Sequence, residues 1–191
     1  MKLAAACLSV LLLSACADAA PPAAAPPTQH HATTSTPPTP STTTAARKQS
    51  ARGNLVKNVG ERAGWTTRDQ ERAADFTLTA IEVDPRCKAQ WENTGGKHML
   101  VLSFTVETTA KLPADQAWWI MAHDFEVIGP DGFTESALVP DGYGNCPKDL
   151  LPTRPYAPAS KFTGKLVLFS KHAHGTLVYR MASDVGWEWA Y

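Results

Sequence analysis

The chain has 191 residues, enough for one folded domain and a tether. Its 18 Lys and Arg balance 18 Asp and Glu, and no sustained basic stripe is present to neutralise phosphates, which argues against a nucleic-acid partner.

At the N-terminus Lys2 is the only early charge, and residues 3–13 are Ala, Leu, Val, Ser and one Cys, the n-region and short apolar h-region of an export signal. About a dozen apolar residues precede a polar, proline-rich stretch, whereas a spanning helix needs roughly 20. The segment is therefore expected to be a removable address. Leu13-Ser14-Ala15-Cys16 resembles the bacterial lipobox, in which small residues lead to a cysteine that receives a diacylglyceryl group on sulfur. That resemblance implies that Cys16 becomes the first residue of the mature chain and that Cys7 leaves with the signal. One acyl chain, at about 0.8 kcal/mol per buried methylene, attaches only marginally, so two chains on one cysteine make the anchor stable.

From residue 17 to 46, 26 of 30 residues are Ala, Pro, Thr or Ser. Such a run has almost nothing to bury against the entropy of ordering and is expected to be a disordered linker. Its seven prolines stiffen it toward polyproline II, with a reach of about 90 Å if fully extended and about 30 Å as a coil. Its Thr, Ser and Pro also suit O-linked glycosylation. Arg47, Lys48, Arg52, Lys57 and Arg62 then make the junction basic. The cluster reads as a solvated linker end, with contact to anionic lipid as the alternative. The expected organisation is a signal peptide at 1–15, a lipidated cysteine and linker at 16–60, and a folded domain at 61–191.

From about Trp65 onward, apolar and polar residues alternate with period two over short runs bounded by Gly and Pro, which predicts strands. "DFTLTAIEV", from Asp75, puts Phe76, Leu78 and Ala80 on one face. "HMLVLSFTVET", from His98, puts Leu100, Leu102, Phe104 and Val106 on one face, with Ser103 and Thr105 opposite. "LPADQAWWIMAHDF" fits either a helical turn or a loop. "DFEVIGPDGF", from Asp124, reads as a strand entering a tight turn, since Pro130 presets φ and Gly132 accepts a left-handed position. Residues 140–158, with five prolines and two glycines, read as a long irregular loop. "KFTGKLVLFS" and "GTLVYRM" repeat the alternation with Val167, Phe169, Leu177 and Tyr179, and "GWEWAY" puts Trp187, Trp189 and Tyr191 on a shared face.

About seven short strands without a long amphipathic helix imply an all-β fold, an antiparallel β-sandwich, with a closed barrel as the alternative. Cys87 and Cys146 are an even pair in a chain bound for an oxidising compartment, so a disulfide is expected between them. They lack the close spacing of a zinc site.

Three blocks carry a resemblance to a known family: "GGKHMLVLSFTVE" at 95–107, "FEVIGPDG" at 125–132 and "YAPASKFTGKLVLF" at 156–169. They resemble the immunoglobulin-like extracellular domain of actinobacterial lipoproteins, a domain shared by the mycobacterial secreted immunoprotective antigens. The resemblance spans about residues 76–189. The chain departs from the pattern at Ala159, where the family usually has glycine, and at Glu107 and Thr108, where an asparagine often ends the first block. The resemblance implies an immunoglobulin-like sandwich on the outer face of the cell membrane, lipid-anchored, without known catalysis. It supplies no catalytic residue.

The residues themselves offer few reactive groupings. His172 and His174 are the best metal candidates, because i and i+2 side chains on a strand point the same way, but their segment reads as a hairpin turn with no third ligand nearby. His123 and Asp124 adjoin Trp118 and Trp119, which suits a pocket wall as well as rim packing. Glu188 alternates with Trp187 and Trp189, so it is expected to face solvent. No G-x-S-x-G, HExxH, P-loop or GxGxxG occurs, and neither catalysis nor a cofactor is expected.

The function expected first is a lipid-anchored extracellular binding module, whose membrane contact is the anchor on Cys16 and whose loops meet another envelope protein or a wall component. A small-molecule or metal carrier using the aromatic face and His172/His174 is the alternative from another class. A purely structural or antigenic surface protein is the third.

Overall fold

The computed structural model describes residues 48–87, 94–139, 146–181 and 185–191. The signal, Cys16, the linker to Arg47, and residues 140–145 of the proline-rich loop lie outside the described residues. Nine strands are described: β1 (Leu55–Val56), β2 (Arg62–Thr66), β3 (Arg72–Val83), β4 (His98–Thr108), β5 (Phe125–Ile128), β6 (Thr134–Glu135), β7 (Lys161–Ser170), β8 (Thr176–Tyr179) and β9 (Trp187–Ala190). One sheet runs β1-β9-β8-β5-β6 and the other β2-β3-β4-β7. Every neighbouring pair is antiparallel except β1 with β9, which is parallel. The two sheets pack face to face as an all-β sandwich, immunoglobulin-like in architecture, and the barrel alternative falls.

Alternation along the strands places the core. Ala74, Phe76 and Leu78 of β3 and Leu100, Leu102, Phe104 and Val106 of β4 face Phe125 and Val127 of β5, Leu177 and Tyr179 of β8, and Trp187 and Trp189 of β9. The turn between β5 and β6 forms as its residues require: the Gly132 N–H donates to the Gly129 carbonyl at 2.9 Å, and Gly132 has φ +84°. The 113–124 segment is a loop whose single 3-10 turn, Ala122–Asp124, leads into β5, and Trp118 and Ile120 from it are buried in the core.

Simple alternation misplaces Ala80. The register of β3 on β4 shifts between Leu78, paired with Phe104, and Ala80, paired with Ser103, so Thr79 is the extra residue of a bulge. Past it Ile81, paired with Leu102, takes over the inward position and packs on the core. A one-residue insertion reverses every later side chain, and period-two reading has no means of seeing it.

Val167 and Phe169 lie on the outer face of their sheet. They pair with Val101 and Met99, and the four form a second buried cluster with Cys87 against it. Cys87 is disulfide-bonded to Cys146 with Cα atoms 5.6 Å apart. The bridge thus sits beside the satellite cluster and ties the proline-rich loop to the end of β3.

Folded structure also starts ahead of residue 61, where the domain was expected to begin. Leu55 and Val56 pair with Trp187 and Glu188, and Asn54 is fully buried. Of the residues that read as a basic linker end, Lys48, Arg52 and Lys57 flank the edge strand β1 and Arg62 opens the edge strand β2, while Arg47 lies outside the described residues.

The same strap corrects the reading of Glu188. Its side chain does leave the sheet on the face opposite Trp187 and Trp189, but it is only 5% exposed. Ser50 donates to its carboxylate at 3.1 Å, Asn54 Nδ2 at 3.1 Å and Arg52 Nη2 at 3.3 Å. A carboxylate is stable there because three donors replace water. Glu188→Ala removes the acceptor of a buried amide and is expected to cost about 1–3 kcal/mol. Tryptic cleavage after Arg52 should quicken in parallel, and an unchanged rate would show that the carboxylate does not hold the strap.

Candidate functional site

Three depressions mark the surface. On the outer face of the β2-β3-β4-β7 sheet, Arg62, Thr77, Thr105 and Thr163 form one rank across four strands, above a shallow hollow of about 460 Å³. Its nearby charges already pair, Lys161 with Glu107 at 3.1 Å and Arg62 with Asp75. A second cleft, about 660 Å³, opens between the edges β1 and β2, with Lys48, Lys57, Arg62 and Arg72 around Trp65 and Trp187. Three members of the basic junction, Lys48, Lys57 and Arg62, therefore converge from different local structures, while Arg52 is turned to Glu188. Lys57 is paired with Glu61 at 2.6 Å, and Asp75 pairs with both Arg62 and Arg72.

The third depression, about 290 Å³, is lined by Trp65, Trp118, Trp119, Met121, Asp124 and Met181, among others. It joins the 113–124 loop to β2 and to the residue two past the end of β8. Trp65 lines this pocket and the basic cleft alike.

The pocket's inner wall is fixed. Trp118 is 6% exposed. Its Nε1–H donates to the Tyr179 hydroxyl at 3.2 Å, and its carbonyl accepts from the Tyr156 N–H at 2.9 Å. Trp65 and Tyr156 meet its ring nearly edge to face, with centroids 5.9 and 5.3 Å away, an arrangement in which ring edges and faces attract. Tyr179 in turn stacks on Phe125 at 4.8 Å and on Trp187 at 5.7 Å. Burial holds the Tyr179 hydroxyl far above the usual tyrosine range and pushes that of Tyr156 up to about 12. Both therefore keep their protons near neutral pH, and the Tyr179 hydroxyl supports the pocket wall from behind by accepting from Trp118.

Asp124 supplies the pocket's charge. It is half-buried, and burial raises its carboxyl above the ordinary aspartate range, against lowering contributions from His123 and from the Met121 backbone. His123 Nε2 lies 3.5 Å from Asp124 Oδ1, with its ring largely in solvent. The backbone beneath is pinned, since Arg180 N–H donates to the Asp124 carbonyl at 3.0 Å.

Of the residues singled out in the sequence, Trp118, Trp119 and Asp124 come together in this pocket, with His123 beside it. Trp65, Met121 and Met181 were missed. Met121 stood in the same loop, but Trp65 and Met181 are distant in the chain and joined only by tertiary packing. His172 and His174 occupy the hairpin between β7 and β8. The His172 ring rests on Gly129, where a Cβ would come within 2.6 Å of its Nε2. The His172 carbonyl accepts from the Tyr191 hydroxyl at 3.2 Å, while His174 is exposed. Among the described residues no three His, Cys, Asp or Glu side chains gather as a metal site, and no helix is long and apolar enough to cross a membrane.

No protein-family model matches the chain, and no curated protein matches it. Among solved structures it is similar to MPT63, a secreted protein from Mycobacterium tuberculosis, at 13% identity and TM-score 0.48, covering 72% of this chain and 98% of that one.

Proposed function

We propose that the protein is an extracellular binding module without catalysis, held to the cell membrane by lipid on Cys16, and that it engages an envelope protein or wall component through the Trp65, Trp118, Trp119 and Asp124 pocket. The observation that carries this reading is the pocket's inner wall: Trp118, held by its hydrogen bond to Tyr179 and packed edge to face on Trp65 and Tyr156, presents a preformed surface that loses little entropy on binding. Size favours recognition of a group on a partner over carriage of a free molecule. Small-molecule sites usually enclose about 300–1,000 Å³ and bury most of the ligand; this depression, at the bottom of that range with about 290 Å³, is open and suited to a single side chain or head group.

The test uses the full mature chain. Wild type is expected to sediment with membranes and, after extraction in detergent, to retain envelope material. Cys16→Ser should release the protein to the soluble fraction. Trp119→Ala, at a half-buried rim position, should abolish retention while leaving the thermal midpoint within a few degrees. Unchanged retention by Trp119→Ala would remove the pocket from the function.

A further inference from the structure

The geometry points to a specific chemistry for this pocket: it receives one protonated N–H cation on an aliphatic stem, a lysine-type amine presented by the partner, with Asp124 accepting from the ammonium and the Trp and Met side chains enclosing the stem. The inference rests on the binding reading above and names its ligand class. Four observations converge on it.

Asp124 is a half-buried carboxylate whose one side-chain ion-pair contact among the described residues is the exposed imidazole of His123, 3.5 Å away. Burial disfavours its ionised form, so an incoming cation recovers interaction that solvent no longer supplies. The walls beside it are Trp65, Trp118 and Trp119. Indole rings carry negative electrostatic potential over their faces and attract cations, whereas an anion would be repelled by the carboxylate. Met121 and Met181 complete the lining with flexible, polarisable surface, which suits methylenes of a lysine stem whose head stays polar. A carboxylate acceptor further favours an ion that carries N–H bonds over a quaternary ammonium, which has no proton to donate.

The cleft beyond Trp65 sharpens the selection. Its four cations, Lys48, Lys57, Arg62 and Arg72, outnumber the two carboxylates that pair with them, Glu61 and Asp75, so the net charge there is positive and a ligand with several adjacent positive charges would meet it. One isolated amine is therefore preferred to a polybasic run.

The probes are Nα-acetyl-lysine amide, the uncharged Nα-acetyl-norleucine amide of similar stem, and tetramethylammonium, titrated into the mature protein while the indole N–H resonances are followed by NMR. The lysine derivative is expected to shift resonances of the pocket tryptophans saturably, with Kd on the order of millimolar for so small a contact. Norleucine amide and tetramethylammonium should bind at least about tenfold more weakly, and Asp124→Asn, which preserves side-chain shape, should weaken the lysine derivative by about tenfold or more. Equal binding of norleucine amide, or Asp124→Asn without effect, would overturn the inference. The two levels separate cleanly. If Trp119→Ala loses envelope retention but Asp124→Asn keeps it, the pocket functions and the amine assignment is wrong. If neither variant alters retention, both fall.

Discussion

Phe76→Ala is expected to lower unfolding stability by about 3–5 kcal/mol, the usual cost of a buried aromatic truncation. Phe76 is 1% exposed on β3 and reaches across the sandwich to the opposite sheet. Its ring meets Tyr179 at 5.4 Å and Trp187 at 5.0 Å, both almost edge to face, and Trp118 at 6.5 Å. Removing it leaves three large rings lining a void, and their own attachments prevent collapse. Tyr179 is tied to Trp118, and Trp187 is held in β9 between two neighbours. Domains of this kind have about 5–15 kcal/mol in total, so the loss is a large part of the whole. Urea denaturation should show a lower midpoint with an unchanged slope. A loss below about 1 kcal/mol would mean that the aromatic cluster repacks freely, contrary to the rigidity invoked for the pocket wall.

The second large effect is expected from the Cys87→Ser, Cys146→Ser pair. The bridge closes a separation of 59 residues, which in the chain-entropy model corresponds to about 4 kcal/mol of constraint on the unfolded chain. A local component adds to this, because Cys87 packs against Met99, Val101, Val167 and Phe169. The double variant avoids leaving a lone thiol. Its urea midpoint should match that of wild type treated with reductant, and addition of reductant to the variant should change nothing. Stability within about 1 kcal/mol of the oxidised wild type would show that the unfolded chain is already restricted in the same region.

The fold was accessible to sequence reading wherever one physical rule governed a segment. Alternation in residues 98–108 gave both faces of β4, and the Pro130 and Gly132 positions gave the turn after β5. Where two rules competed, pattern alone failed. The bulge at Thr79 obeys the geometry of two unequal strands, which alternation does not encode. Glu188 does leave the sheet on the expected face, but that face is covered by a strap from more than 130 residues earlier in the chain, as its bond to Asn54 shows. The basic cluster likewise looked like a linker end because Glu188, the partner of Arg52, lies 136 residues further along the chain. For the pocket, the Trp118-Trp119-His123-Asp124 stretch was visible, since aromatics beside a carboxylate are a local signal. Trp65 and Met181 complete it only through the packing of β2 and the end of β8 against that loop, a relation no spacing rule contains.

The placement of β9 bears on how the molecule is made. It leaves the ribosome after every other described strand, yet lies between β1 and β8 and contributes Trp187 and Trp189 to the interior. Until those residues emerge, β1 has no strand of its sheet to join and only three of that sheet's five strands can pair, so the sandwich closes with the last strand to be made. Under the proposed export, a polypeptide threaded outward in extended form is kept threadable by its own topology, and it locks shut only once the whole chain is across.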